Sequence, residues 1–366
     1  MKATILEQVL DLARWAPSGD NTQPWRFEIA GEHHLVVHGF DTRSHCVYDL
    51  DGKPSQISIG ALIETIAIAA SAHGLGVAVS RREGLPETTP TFDISFHADA
   101  AIVPSPLLEA VIRRAVQRRG MQSQPLTADE KKTLEQCVAP RFRIHWLEGS
   151  STKWQVARLL FDNAKVRLTM PEAYEVHRSI IEWGAQFSTD RVPDAALGAD
   201  AMTVKTMRFV MASWGRVEFF NRFMAGTVLP RIQMDLLPAL ACSAHYVLVD
   251  TQLPASIDDH VAAGRAVQRL WLTMTRHGLA QQPEMTPLIF GSYVRRNIPF
   301  TRVPQVSALA QRVAGRCRDV LGVDLDRAVW MGRVGRGPFA TARSTRLSVD
   351  ELRWTGPAAK AGHPAS

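Results

Sequence analysis

Long blocks of one charge are missing from this chain, as are paired cysteines, an unbroken membrane-length apolar run and any nucleophile–base signature. Each absence excludes something. The four cysteines, Cys46, Cys137, Cys242 and Cys317, lie far apart, so no zinc or redox spacing exists and a reducing compartment fits. The most apolar run, Ile57 to Ala72, is short and holds Glu64. The opening "MKATILEQVLDLARWAPS" carries acidic residues inside its apolar pattern, as an amphipathic helix does and a signal peptide does not. A cytoplasmic protein without a membrane partner is expected. With 42 basic and 36 acidic residues the net charge is +6. That excess permits a phosphate-bearing ligand without the basic arm of a nucleic-acid binder, and no nucleic-acid partner is expected. His33, His34 and His38 cluster in "EHHLVVH", yet no carboxylate or Cys completes a metal set there, and no metal is expected. "GRVGRG" (332–337) reads as a strand exit, since no clear helix opens after it.

What is present is an ordinary globular balance, 46% apolar and 21% charged over 366 residues, enough for one large domain or two. Thr4 and Glu7 have capping-box spacing, followed by apolar residues at helical intervals. Strands are expected at "WRFEI", "HLVVHGF", "VAVSRR", "FDISFHAD", "RFRIHWLE", "SAHYVLVD" and "AVWMGRVG". Ile59 to His73 predicts a buried helix, apolar on nearly every face and ended by Gly74. Leu107 to Arg119 predicts a basic helix, and residues 152–240 a helical insert rich in Trp, Met and Phe. Most of the stretch "TMRFVMASWGRVEFFNRFM" within it is expected to pack against the core.

Two stretches repeat without a gap. "GALIETIAIAASAHGL" (60–75) aligns with "GRAVQRLWLTMTRHGL" (264–279), so that Gly60 meets Gly264 and both end in His-Gly-Leu. A second pair is "LEQVLDLARWAP" before "WRFEI" and "KKTLEQCVAP" before "RFRIHWL". In each, a helix ends in Ala-Pro and a strand follows. The first junction contains "SGDNTQP"; the second contains nothing. Two halves with one elaborated loop predict an internal pseudo-dimer with one functional site.

That loop, "ARWAPSGDNTQPWRF", resembles the Ala-Pro-Ser-x-x-Asn-x-Gln-Pro-Trp segment of the nitroreductase superfamily of flavin oxidoreductases. "IGALIETIAIAASAHGLG" is similar to that family's central helix, "IRRAVQRRGMQSQPLTADEKKTLE" to its opening basic motif, and "ARSTRLSVDEL" to its closing basic segment. The tandem single-chain, Acg-like subgroup is the nearest likeness. The resemblance implies an α+β nitroreductase-like fold. It divides the chain into a first half (1–106), a second half (107–354) with the insert at about 152–240, and a disordered tail (355–366).

It also implies FMN as cofactor, NAD(P)H as co-substrate and a small organic acceptor, nitroaromatic or quinone-like. Arg114 takes the family's phosphate-binding position and Arg118 the one beside the isoalloxazine; Arg343 and Arg346 fall on the closing basic pair. Pro17, Ser18, Asn21 and Gln23 form the loop that approaches the flavin from the other half. Where the family has Ser or Thr, this chain has Val116. Arginine's planar fork suits phosphate oxygens, and amide side chains suit the donor–acceptor edge of the flavin. No acid–base residue is required, and no catalytic residue is assigned. Two rivals stand beside the oxidoreductase: a protein that stores FMN under a lid, and a scaffold without flavin. The chain is expected to be a monomer or a weak homodimer.

Overall fold

The computed structural model describes residues 3–338 and 340–356; the tail expected over 355–366 lies outside the described residues from 357 onward. The chain is a mixed helix-and-sheet protein. Helix α1 (Ile5–Ala13) opens on the expected capping box. The Thr4 hydroxyl accepts from the Glu7 N–H, and the Glu7 carboxylate accepts from the Thr4 N–H. Strands β1 (Trp25–Gly31) and β2 (His34–Gly39) form a hairpin. Helix α2 (Lys53–Ser71) starts after Gly52, whose φ of +75° favours glycine. Strands β3 (Leu75–Arg81) and β4 (Thr91–Ala98) complete a sheet in the order β1-β2-β4-β3, and the short helix α3 (Leu108–Arg113) follows.

Helix α4 (Ala128–Val138) repeats the capping box with Thr127 and Glu130, and β5 (Phe142–Leu147) follows. The insert contains α5 (Ser150–Leu168) and α6 (Pro171–Ile180), then the two-residue strands β6 (Ile181–Glu182), β7 (Phe187–Ser188) and β8 (Val192–Pro193). It continues through α7 (Ala201–Val210), α8 (Trp214–Phe223), α9 (Val228–Arg231), a π-helical turn and α10 (Leu237–Leu240). Strand β9 (Ala244–Asp250), helix α11 (Ile257–Arg276), strand β10 (Leu279–Pro283), helices α12 (Thr286–Arg295) and α13 (Pro304–Leu321), and strands β11 (Ala328–Arg336) and β12 (Arg343–Ser344) finish the chain. The second sheet runs β5-β9-β11-β10. Taken in chain order, its strands are arranged as in the first: one, two, four, three.

Helices α2 and α11 lie against each other between the sheets. The first core joins α1, α2 and the first sheet to Ile257 and Val261 of α11; the second joins α4 and α11 to the second sheet. The helix contact is reciprocal. A β-carbon on Gly60 would sit 2.1 Å from the Val261 carbonyl oxygen, and one on Gly264 would sit 2.0 Å from that of Ile57. Gln56 Oε1 and His260 Nδ1 meet at 2.7 Å, and they too are 204 residues apart. Residues that match at one offset touch one another, as positions about a two-fold axis do.

The sheets differ in cover. The outer positions of β1 and β4 are exposed, whereas β9 is buried at all but one position because α5, α10 and α13 cover its second face. Residues 352–354, placed by sequence with the second half, lie along β1: Leu352 accepts from Phe27 N–H, and Trp354 donates to Phe27.

Two sequence expectations are corrected. The helix predicted over Leu107–Arg119 ends at Arg113, and "RRAVQRR" continues as extended chain along the edge of β10, with Val116 paired to Gln281. Helix-forming side chains yield there to an open sheet edge with backbone groups to offer. The aromatic stretch of α7 and α8 does not fill the core: Phe209, Phe219 and Phe223 are exposed.

Candidate functional site

The loop after α1 is built from residues in left-handed backbone. Asp20, Asn21 and Gln23 have φ of 50°, 64° and 48°. Asp and Asn accept such angles because their short polar side chains bond locally. The Ser18 hydroxyl closes the loop by accepting from the Gln23 N–H at 3.0 Å. The Gln23 amide is fully buried. It donates to the carbonyls of Asn21 and Thr189 and accepts from the Leu347 N–H. Asn21 donates to the carbonyls of Thr189 and Arg191, and its own Oδ1 is buried without a partner.

The extended backbone of 114–118 explains the spacing of the basic motif. Alternate residues of a strand share a face. Arg114, Val116 and Arg118 all line one cavity, and Ala115 reaches it as well. Gln117, between them, bonds the Pro338 carbonyl, and Arg119 bonds that of Ala199. The closing segment is fixed by β12, which pairs with β7 of the insert. From it Arg346 Nε donates to the Ala16 carbonyl at 2.9 Å, and Arg343 Nη1 to that of Ile112 at 2.7 Å. Arg114 Nη2 donates to the Trp15 carbonyl, and its guanidinium lies 4.5 Å from the centre of the Trp271 ring.

The cavity holds about 450 Å³, a volume suited to a cofactor-sized ligand. Pro17, Ser18, Asn21, Arg114, Arg118, Arg343 and Arg346 all line it; Gln23 stands behind the wall and ties the loop to the chain's closing segment. Burial and the charges of Arg346 and Arg343 hold Arg114 well below the usual arginine range. Burial, Arg343 and Arg14 push Arg346 down to about 9. Among the described residues no carboxylate forms an ion pair with Arg114, Arg343 or Arg346. Nε of Arg114 and Nε of Arg343 are buried without acceptors.

A second group of charges lines the same cavity. Burial holds Arg118 below the usual arginine range, with Asp20 opposing that shift and Arg333 and Arg167 adding to it. Arg167 Nη2 donates to both carboxylate oxygens of Asp235 at 2.9 and 3.0 Å, and the Tyr48 hydroxyl meets His177 Nε2 at 2.8 Å. Burial, then Arg167, pushes His177 down to about 3, so it is neutral at pH 7. Glu284 lies between Arg333 and the fully buried His245. Sequence reading passed over Tyr48, Arg167, His177, Asp235, Glu284 and Arg333. Their partners are distant in the chain, and no local spacing marks them.

No protein-family profile matches the chain. Over 297 residues, 80% of its length, it is 25% identical to an uncharacterized protein of Mycobacterium tuberculosis (strain CDC 1551 / Oshkosh), and it spans 40% of that relative's length. A nitroreductase with bound FMN from Bacteroides fragilis NCTC 9343 is similar in structure at a TM-score of 0.30 and 11% identity, over 64% of this chain and 89% of that one. A similarity that loose leaves the reading of the site to the chain's own residues.

Proposed function

We propose that the chain is an FMN-dependent oxidoreductase, passing hydride equivalents from NAD(P)H to a small organic acceptor of nitroaromatic or quinone type. The observation that carries this reading is the convergence of Arg114, Arg343 and Arg346 on one cavity, with no carboxylate ion-paired to any of them among the described residues. Buried like charges are costly unless an anion joins them, and two of these guanidinium groups still lack acceptors for Nε. A phosphate supplies both the charge and the oxygens. FMN, when bound, supplies two-electron redox chemistry. Arg114, Arg343 and Arg346 would hold its phosphate, and Arg118 and Asn21 would meet the polar edge of its ring system. Trp271 offers an aromatic wall beside Arg114.

We further read the chain as an internal pseudo-dimer with one such site. The matching strand orders and the reciprocal contact of Gly60 with Gly264 support this.

The insert favours a second reading, storage of FMN with little turnover. Ile181, Val192, Leu197, Met207, Met211 and Met234 wall the cavity, as a lid over a ligand does.

The test is a titration with FMN and with riboflavin, followed by flavin fluorescence. One FMN per chain is expected. Arg114→Ala with Arg346→Ala should weaken FMN by about a hundredfold or more, from about 1.5–3 kcal/mol for each charged hydrogen bond. Riboflavin, lacking the phosphate, should be little affected. A chain that takes up no FMN overturns the reading. With flavin bound, anaerobic bleaching by NADPH selects the oxidoreductase; a persistent yellow colour selects storage.

A further inference from the structure

Outside the cavity, the most unusual surface is the outer face of α7 and α8. Met202, Phe209, Phe219 and Phe223 are each more than half exposed, as are Met224 just past α8 and Leu229 in α9. Each helix buries only one residue fully, Thr203 in α7 and Val217 in α8. The exposed rings form a patch: Phe219 lies 5.2 Å from Phe223, and Phe209 lies 6.3 Å from Phe220. An apolar patch of this kind on a water-facing surface marks an interaction site.

Its charge is one-sided. Between residues 201 and 224 stand four basic residues, Lys205, Arg208, Arg216 and Arg222, against the single acid Glu218. All four basic residues are exposed. Two are part of the patch itself. The Arg216 guanidinium sits 4.5 Å from the Phe209 ring centre, and that of Arg222 sits 5.3 Å from the Phe223 ring centre. A symmetric contact between two copies through this face would set these cations against one another. An anionic bilayer offers hydrocarbon for the rings and phosphates for the cations together.

We propose that the α7–α8 face docks the protein on the surface of an anionic lipid bilayer. Phe219 and Phe223 enter the boundary between headgroups and acyl chains, and Arg216 and Arg222 engage lipid phosphates. The binding is peripheral, because among the described residues no helix is long and apolar enough to cross a membrane. The proposal departs from the expectation of no membrane partner. It also gives the insert a second role, since Met207 and Met211 of the same segment wall the cavity.

Vesicle flotation with the full chain tests it. The protein should float with vesicles of phosphatidylglycerol and phosphatidylcholine, and not with phosphatidylcholine alone. Phe219→Glu with Phe223→Glu should reduce binding at least tenfold, with circular dichroism and Tm unchanged because both positions are exposed. Arg216→Gln with Arg222→Gln should weaken it about fivefold per charge at low salt. A Phe223→Trp variant should show a blue-shifted emission only with the anionic vesicles. No binding to anionic vesicles overturns the proposal, as does equal binding by the Phe219→Glu/Phe223→Glu variant. So does a dimer in light scattering that this variant dissociates, which would make the face a contact between copies.

Discussion

The junctions from α1 to β1 and from α4 to β5 begin alike and diverge at once. In the first, Ala16 and Pro17 lead into a loop with three left-handed non-glycine residues before Trp25. In the second, the Ala139 N–H caps α4 by donating to the Glu135 carbonyl, and β5 starts at Phe142. Arg141 there turns to Asp250 and Asp259, a purely structural use. Strained backbone persists where other contacts over-determine it. Here those contacts come from the insert at Thr189 and Arg191 and from the closing segment at Leu347. The difference shows where the chain invested its chemistry: one junction faces a cavity and the other only joins two elements.

The largest way to break the contrast is Gln23→Ala. It leaves the Leu347 N–H without its acceptor, removes the donors that hold the Asn21 and Thr189 carbonyls to the loop and empties a fully buried site, and urea denaturation should read a loss of about 3 kcal/mol. A stability change below 1 kcal/mol would mean that the loop holds itself.

The contact between α2 and α11 can be sharpened next. Gly60→Ala and Gly264→Ala should each cost about 1–3 kcal/mol and by similar amounts, because each new methyl meets the carbonyl of the equivalent residue. Gly74→Ala and Gly278→Ala are controls, with positive φ but no neighbours, and should cost about 1 kcal/mol each. Markedly unequal costs for Gly60 and Gly264 would break the reciprocity.

The remaining contrast concerns histidine. Burial alone would lower His245, but Glu284 at 2.7 Å and Cys242 raise it from 6.5 to about 10. The folded chain therefore holds a proton that the unfolded chain releases above its own pKa. The contribution is complete below pH 6.5 and is lost as pH rises through about 10. The first sheet offers the contrast of His34 and Asp93, a half-exposed pair that contributes little. Urea midpoints from pH 6 to 10 should fall with a slope that Glu284→Gln removes; an unchanged slope in that variant would assign the effect elsewhere.

Much of this was legible in the sequence because it is local. Capping boxes at Thr4 and Thr127 open helices as their spacing requires, and the apolar run of α2 is buried throughout. The loop and both basic segments could be picked out by motif, and Pro17, Ser18, Asn21, Arg114, Arg118, Arg343 and Arg346 share one cavity. The conformation of "RRAVQRR" was not legible, since a sheet edge some 160 residues away decides it. Nor were Tyr48 and His177, which the fold brings together across 129 residues. Local propensity carries no record of such meetings.

The bond from Leu347 to Gln23 spans 324 residues, and β1 receives its neighbour from residues 352–354. During synthesis, the loop with the left-handed backbone waits 324 residues, from Gln23 to Leu347, before its closing partners emerge. A product that ends before Arg343 would carry α2, α11 and both sheets, yet have an open edge at β1 and no closing arginines. Completion of the cavity thus doubles as a check that synthesis has passed Leu347.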